Sequence, residues 1–155
     1  MQTMSHSAAS VRTLFRQPQN EYPLFEAARL VGLSEADLRS WIASGEIEAV
    51  DTRDGLRIPW SELVVLAMDV IGQETIEEAL GPNVERALPE LVRLSELRVR
   101  IPRYEIAAIE QIAAMNGTTV DDVVGFELLD PVWTNAEWLD ALIPSFAEAL
   151  RWPQA

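Results

Sequence analysis

Arginine side chains cluster in the stretch ELRVRIPRY, residues 96–104, of a chain that is otherwise acidic. Arg98 and Arg100 alternate with apolar residues, and Pro102 ends the run. Because successive side chains on a strand point to opposite sides, this spacing predicts a short β-strand with one apolar and one cationic face. A guanidinium donates paired hydrogen bonds to phosphate or to O6 and N7 of guanine, so the cationic face is a candidate nucleic-acid contact. The alternative is an edge strand whose arginines face water.

The overall charge restricts how such a contact works. The chain has 12 basic residues against 25 acidic ones and a formal net charge of -13. Binding that neutralises phosphates requires basic side chains, so any nucleic-acid site is confined to a local cationic patch. Every basic residue is arginine, which suits planar recognition through two parallel hydrogen bonds better than lysine does.

Residue types that most catalysis requires are scarce. The chain has no cysteine and one histidine, His6, which disfavours thiolate chemistry, disulfides, histidine-based triads and histidine-ligated metals. The adjacent carboxylates Asp121-Asp122 and Glu77-Glu78 are explained as solvated helix faces. We therefore predict no catalytic residue, no metal and no cofactor, and an enzyme ranks last among the functions considered.

The composition indicates a soluble globular protein with a packed core. The chain has 155 residues, 48% of them hydrophobic and 24% charged, enough for one domain or two small ones. No apolar run approaches the roughly 20 residues that span a bilayer, and the N-terminal residues lack a secretory segment. We expect a cytoplasmic protein without membrane contact.

The apolar spacing and turn residues of positions 21–72 predict two short helices, a hairpin and a third helix. The first helix spans Leu24 to Val31, and the Asp54-Gly55 pair predicts the hairpin turn. Proline, serine and glycine residues predict where the helices begin and end: Pro23, Gly32, Ser34, Gly45 and Ser61.

This module resembles the excisionase and MerR-like family of winged helix-turn-helix DNA-binding domains. Four motifs carry the resemblance: Phe25-Glu-Ala-Ala28, Gly32-Leu-Ser34, Leu38-Arg-Ser-Trp-Ile42 and Arg57-Ile-Pro59. In that family the second helix enters the major groove and the wing lies along the DNA backbone. The resemblance implies DNA contacts by six residues: Ser34, Glu35, Arg39, Ser40, Arg53 and Arg57. Acidic residues in and after the second helix favour the alternative, a winged domain that serves as a protein-interaction scaffold.

Residues 96–130 resemble the ribbon-helix-helix family. The resemblance rests on the strand ending in Ile101-Pro102, the helix from Arg103, the turn Asn116-Gly-Thr118 and the helix opening at Val120-Asp-Asp122. In that family two chains pair their strands into an antiparallel ribbon in the major groove, and the second helix approaches phosphate. The resemblance implies a homodimer through the Leu97–Ile101 strand. It also implies that Arg98 and Arg100 contact bases and that Thr118 and Thr119 contact phosphate.

The segment 131–155 predicts one or two amphipathic helices that hold three of the five tryptophans among acidic residues. Its apolar face either packs on the chain's own core or docks a basic protein partner, because aromatic residues are enriched at interface hot spots. The candidate partner-binding residues are Trp133, Trp138, Leu142, Phe146 and Trp152.

The predicted fold class is mainly α, with a small hairpin and one further strand. The predicted order is a flexible arm or peripheral helix (1–20), the winged module (21–72), a helical connection (73–95), the ribbon-helix-helix-like module (96–130) and the tail (131–155). These features favour a DNA-binding transcriptional regulator or accessory protein that acts as a dimer. The alternative is an antitoxin-like adaptor that binds a basic toxin and autoregulates its operon.

Overall fold

The computed structural model describes residues 8–154, which divide into two compact units. Among these residues, one unit comprises 8–94 together with 151–154, and the other comprises Ser95–Leu150. Helices predominate, and the described residues contain one three-stranded antiparallel sheet. The prediction of a mainly α fold with a small hairpin is confirmed.

Short helices and three short strands build the first unit. Their order along the chain is α1 (Ala8–Arg16), β1 (Glu21–Pro23), α2 (Leu24–Val31), α3 (Glu35–Ser44), β2 (Val50–Thr52), β3 (Gly55–Pro59), α4 (Trp60–Val70), α5 (Gln73–Leu80) and α6 (Val84–Ala87). Single 3-10 turns flank α6 at Gly81–Asn83 and Glu90–Val92.

Helices α2 and α3 are joined by a tight turn, as predicted. Gly32 ends α2 with a φ of 70°, a left-handed conformation that glycine adopts without steric cost. The Ser34 hydroxyl accepts the Asp37 N–H at 3.1 Å and so caps α3, which ends at Gly45. The two predicted helix boundaries at this turn are confirmed.

The sheet has the strand order β1-β3-β2. The predicted turn at Asp54-Gly55 joins β2 to β3, which confirms the hairpin. Helix α2 begins at Leu24 as predicted, immediately after Pro23, which ends β1 opposite Arg57 of β3 and is therefore not itself the first helical residue. The predicted cap at Ser61 is wrong: α4 already begins at Trp60, where Pro59 ends β3 and fixes the entry to the helix.

Helix α1 is an integral part of the core. Its residues Val11, Leu14 and Phe15 are buried, and the Trp60 indole N–H donates to the Leu14 carbonyl at 3.0 Å. The expectation of a flexible arm or a peripheral helix therefore does not describe the helical part of this segment. Residues 1–7, which belong to the same prediction, lie outside the described residues.

We expect Leu14→Ala to lower the free energy of unfolding of the first unit by about 2–5 kcal/mol. Leu14 is fully buried, so the truncation removes apolar contact and leaves a cavity. Urea unfolding followed by circular dichroism measures the loss. Arg16→Ala on the exposed side of α1 is the control and is expected to change the value by less than about 0.5 kcal/mol. Equal stability of Leu14→Ala and the control would contradict the assignment of α1 to the core.

The second unit consists of α7 (Arg103–Asn116), α8 (Val120–Thr134), α9 (Ala136–Asp140) and α10 (Phe146–Arg151), the last of which ends at the unit boundary. Gly117 ends α7 with a φ of 66°, which confirms the predicted turn before α8. The predicted start of the tail at residue 131 falls inside α8. Pro131 removes only one backbone donor there, and the helix continues to Thr134.

The predicted strand at residues 97–101 is wrong for the single chain. Residues 93–102 form neither helix nor strand, although Arg93 and Pro102 at the two ends have extended ψ angles of 143° and 147°. A strand requires a neighbour with which to exchange backbone hydrogen bonds. All three strands of the described residues pair with one another within residues 21–59, so this segment has no ladder partner in its own chain.

Candidate nucleic-acid interface

The cationic segment, defined here as residues 95–101, begins immediately after a backbone anchor. The Gln73 side-chain amide donates to the Val92 carbonyl at 2.6 Å, and the Glu77 carboxylate accepts the Leu94 N–H at 2.7 Å. Both anchoring residues lie on α5. The chain is therefore held in place up to Leu94. Among the described residues, no backbone group of the cationic segment makes a hydrogen bond.

The cationic segment is exposed on both its apolar and its polar side. Leu97 and Val99 have 74% and 63% of their surface exposed, and Arg100 is also exposed. Arg98 lies 3.7 Å from the carboxylate of Glu96, and both side chains are about nine-tenths exposed. Such an ion pair contributes little in water, so the guanidinium remains accessible to a ligand.

The second unit buries very little apolar surface. Ala113 is its one buried residue, and every residue from 95 to 150 is among the described ones. Large apolar side chains are exposed on α7, α8 and α9, among them Met115, Phe126, Trp133 and Trp138. Helix α8 has apolar residues around its whole circumference, which is typical of a helix covered on more than one side. Exposed apolar side chains in this number indicate an interaction site.

Charge is segregated within the second unit. Its basic residues are Arg98, Arg100 and Arg103, all within six positions, whereas it has ten carboxylates. Between Tyr104 and Leu150 the sequence has nine acidic residues and no basic one. The unit therefore confines its basic residues to positions 98–103, and its residues from Tyr104 to Leu150 carry only acidic charges.

The Asp122 carboxylate occupies the donors that the sequence assigned to phosphate. It accepts the Thr119 hydroxyl at 2.7 Å, the Thr119 N–H at 3.1 Å and the Thr118 hydroxyl at 3.3 Å. The Thr119 hydroxyl in turn accepts the Asp122 N–H at 3.1 Å, which completes a capping box at the start of α8. Thr119 is therefore the N-cap of α8. Hydrogen bonds from the Thr119 side chain and then from its backbone hold the pKa of Asp122 below its ordinary value.

We expect Thr119→Ala to raise the pKa of Asp122 towards its ordinary value and to destabilise α8 by about 1 kcal/mol. Because the pKa of Asp122 is lower in the folded state than in the unfolded state, its carboxylate stabilises the fold at pH values above the unfolded-state pKa. This stabilisation is lost as the pH falls through the folded-state pKa. Carboxyl-carbon NMR titration gives the pKa, and hydrogen exchange gives the stability of α8. Thr118→Ala is the control: it removes the 3.3 Å bond to Asp122 and a 3.1 Å bond to the Thr119 carbonyl but leaves both bonds from Thr119 to Asp122 in place. An unchanged Asp122 titration in Thr119→Ala would contradict the assignment.

Four of the six winged-module residues predicted to bind DNA already contact neighbouring side chains. Ser34 also donates its hydroxyl proton to the Asp37 carboxylate at 2.6 Å. The Arg39 guanidinium lies 4.0 Å from Glu35, and that of Arg57 lies 3.6 Å from Glu21. The remaining two, Ser40 on α3 and Arg53 in the hairpin turn, are exposed. Two of the three arginines predicted to bind DNA in this module, Arg39 and Arg57, therefore lie beside carboxylates that offset their positive charge.

The structure separates the residues predicted to bind a protein partner. Trp133 on α8, Trp138 on α9 and Leu142 after it are exposed, and Phe146 on α10 is half-buried. Trp152 instead belongs to the first unit and packs edge-on against Trp60, with ring centroids 6.3 Å apart. Core packing, the alternative that the sequence left open for this tail, is therefore the role of Trp152.

Two acidic residues that the sequence did not mark as site residues contribute to the candidate interface, and one of them, Glu77, is hydrogen-bonded and half-buried instead of lying on a solvated helix face as predicted. Glu96 lies beside Arg98 on the cationic segment, and Glu77 anchors the backbone just before it. The position of Glu96, two residues before Arg98 in an alternating run, indicates that it shares the cationic face. Nothing local marks Glu77, because its contact joins residues 17 positions apart.

Other kinds of site have little support in the described residues. Within residues 8–154, no group of three or more acidic or histidine side chains is placed to hold a metal ion. A cavity lined by Arg12, Thr13, Arg16 and Gln17 has a volume of about 150 Å³, below the roughly 300–1,000 Å³ of typical small-molecule pockets. Over the same residues, none of the helices has the length and apolar character needed to cross a bilayer.

Comparison of the chain with protein-family models, with curated proteins and with solved structures finds no match in any of the three.

Proposed function

We propose that the chain is a DNA-binding transcriptional regulator or accessory protein that acts as a dimer. In this proposal two copies of the cationic segment pair as an antiparallel ribbon. One observation carries it: Leu97 and Val99 are exposed in an alternating segment whose backbone has no ladder partner in its own chain. Unpaired N–H and C=O groups of this kind are a template for pairing with another chain.

Pairing would supply both the burial and the charge that a single chain lacks. The apolar residues of two segments share one face of the ribbon, where they can cover the exposed apolar surface of α7 and α8. The other face carries Arg98 and Arg100 from each copy, which makes four guanidinium groups on one surface. A two-stranded ribbon fits the major groove of B-DNA, where arginine pairs with guanine.

The winged module is a secondary contact in this proposal. Arg39 and Arg57 each lie near a carboxylate of their own chain, which offsets part of the charge that phosphate would attract. Arg53 and Ser40 are exposed and remain candidate backbone contacts. The resemblance to winged helix-turn-helix domains supports this arrangement, and the scaffold alternative stays open for this module.

A specific surface favours a second candidate function, an antitoxin-like adaptor. Trp133 on α8, Trp138 on α9 and Leu142 just after α9 are exposed, and residues 104–150 around them carry acidic side chains and no basic one. An apolar aromatic surface rimmed by carboxylates suits a basic protein partner, such as a toxin encoded by the neighbouring gene. DNA binding by the same chain would then autoregulate the operon.

The proposed function is tested by the salt dependence of binding to the DNA upstream of the chain's own coding sequence. If four arginines contact phosphate or base, the affinity falls about a hundredfold between 50 and 200 mM salt, measured by fluorescence anisotropy. A scrambled duplex of equal length is the control for sequence-independent binding. Absence of salt-dependent binding to either duplex would contradict the proposal.

The second candidate is tested by co-purification with the protein encoded next to the chain. We expect the exposed pair Trp133→Ala and Trp138→Ala to lose such a partner while keeping the DNA affinity of the unchanged protein. Trp152→Ala is not a suitable control, since Trp152 packs in the first unit. Met115→Ala, an exposed apolar truncation on α7, serves instead. Loss of DNA binding together with the partner would point to a folding defect.

A further inference from the structure

Glu96 introduces an asymmetry along the cationic segment. It is the one acidic residue between positions 95 and 102, and its carboxylate lies 3.7 Å from Arg98. A contact between residues two positions apart is the spacing of one face of an extended chain. The outward face of the segment is therefore negative at position 96 and positive at positions 98 and 100. Two antiparallel copies can align this face in only a few ways.

The alternation of the segment limits how two copies can pair. In a twofold-symmetric antiparallel pair, directly opposite residues lie on the same face of the ribbon. A register shifted by one residue would place arginines opposite apolar side chains and mix the two faces. Three registers keep the faces separate and pair most of the segment, with the twofold axis at Leu97, at Arg98 or at Val99.

The register centred on Val99 opposes like charges. It places Arg98 of each copy directly opposite Arg100 of the other, twice in the dimer, and places Glu96 opposite Pro102. Like charges directly opposite one another destabilise a strand pair, and the only carboxylate of the segment would face a residue with no charge and no N–H. This register is therefore disfavoured.

The register centred on Leu97 requires residues that are already engaged. It places Glu96 opposite Arg98, but it extends the ladder back to Leu94 and Arg93. The Leu94 N–H donates to Glu77 on α5, and Arg93 is largely buried within the first unit. The ladder would have to displace this anchor.

We propose that two copies pair in the register centred on Arg98, with Glu96 of each copy facing Arg100 of the other. This register forms two cross-strand ion pairs, and its ladder from Ser95 to Ile101 uses residues of the second unit alone. Only one like-charge pair remains, Arg98 opposite Arg98 at the axis. The proposal rests on the ribbon dimer of the proposed function and deepens it: Glu96 sets the register, Arg100 is partly neutralised, and the two Arg98 side chains form the strongest anion contact.

Disulfide trapping tests the register directly, because the chain has no cysteine of its own. The variants Leu97→Cys, Arg98→Cys and Val99→Cys are oxidised separately and analysed on non-reducing gels. Cysteines at the axis lie directly opposite each other, whereas the two copies of a residue one position off the axis are displaced by two residues along the ladder, about 7–8 Å apart and too far for an unstrained disulfide. We expect Arg98→Cys to form the covalent dimer at least about tenfold faster than the other two. Arg98→Ser is the control: it shows whether the dimer persists when Arg98 is replaced by a residue that cannot form a disulfide.

Charge exchange provides a second measurement that does not depend on disulfide geometry. Glu96→Arg is expected to weaken dimerisation about tenfold, and adding Arg100→Glu is expected to restore it, as measured by sedimentation equilibrium. Adding Arg98→Glu instead would restore it only in the register centred on Leu97.

The outcomes separate this inference from the proposed function. Fastest trapping at Leu97 or Val99, or rescue by Arg98→Glu, would overturn the register and leave the ribbon dimer intact. No trapping at any of the three positions, together with a monomeric mass, would overturn the dimer itself. Fastest trapping at Arg98 with rescue by Arg100→Glu would establish the register.

Discussion

The double variant Arg98→Ala, Arg100→Ala is expected to lose at least about a hundredfold in affinity for DNA while it remains folded, measured at a protein concentration at which sedimentation equilibrium still shows a dimer. The proposed ribbon carries two copies of each arginine, so the variant removes four guanidinium groups from one face. Each well-placed guanidinium contributes roughly 1–3 kcal/mol to base discrimination, and phosphate contacts add a term that depends on salt. The slope of affinity against salt concentration should fall together with the affinity. Fluorescence anisotropy at several salt concentrations measures both.

A control variant with the same change in net charge shows whether the position of the arginines matters or only the total charge of the chain. Arg29→Ala with Arg86→Ala removes two exposed arginines from the first unit, on α2 and α6. In a chain with a net charge of -13, any loss of positive charge weakens attraction to DNA slightly. We expect this control to lose severalfold at most. Equal losses in the two double variants would show that the cationic segment has no special role.

Val99→Pro is expected to abolish the dimer at micromolar concentration. Proline removes a ladder N–H and excludes the usual strand φ, and twofold symmetry applies the defect twice in each ribbon. An unsatisfied buried backbone group costs about 1–3 kcal/mol, so the two defects together weaken dimerisation by about a hundredfold or more. Sedimentation equilibrium gives the mass of the variant, and circular dichroism shows whether the first unit, whose core is separate from this segment, keeps its helices.

Val99→Ile is the matched control for this variant. It keeps the branched apolar side chain and the backbone N–H, so we expect the dimer to persist with little change. A dimer that survives Val99→Pro would place the contact between copies outside the cationic segment, for example on the exposed apolar faces of α7 and α8.

Local sequence patterns predicted the elements that local interactions determine. Ser34 caps α3, Gly45 ends it, and Asp54-Gly55 turns the hairpin, because each of these effects acts within a few residues. The same holds for Gly117 at the turn between α7 and α8. These residues could be assigned from the sequence since their conformations depend on their immediate neighbours.

Features that depend on distant residues were missed or wrong. Strand β1 has three residues, too few to show alternation, and exists because Tyr22 lies opposite Ile58 of β3. The burial of α1 depends on packing that brings Leu14 to Trp60, although the spacing of Val11, Leu14 and Phe15 already marks an apolar helix face. The sequence grouped Trp152 with the candidate partner-binding tryptophans for the same reason: the residue it packs against, Trp60, lies 92 positions away and no local pattern indicates that contact.

The predicted strand at 97–101 failed for a different physical reason. Its alternation is present in the sequence, but a strand is a property of a pair, and the single chain offers no neighbour. The large exposed apolar surface of the second unit supports the view that the neighbour is supplied by a second molecule.

The mass of the unchanged protein in solution tests the central claim most directly. Sedimentation equilibrium at micromolar concentration is expected to give twice the 17.3 kDa mass of the chain, with Val99→Pro shifting the value to that of one chain. A strict monomer of the unchanged protein across the measurable concentration range would contradict pairing of the cationic segments and the DNA-binding ribbon that depends on it.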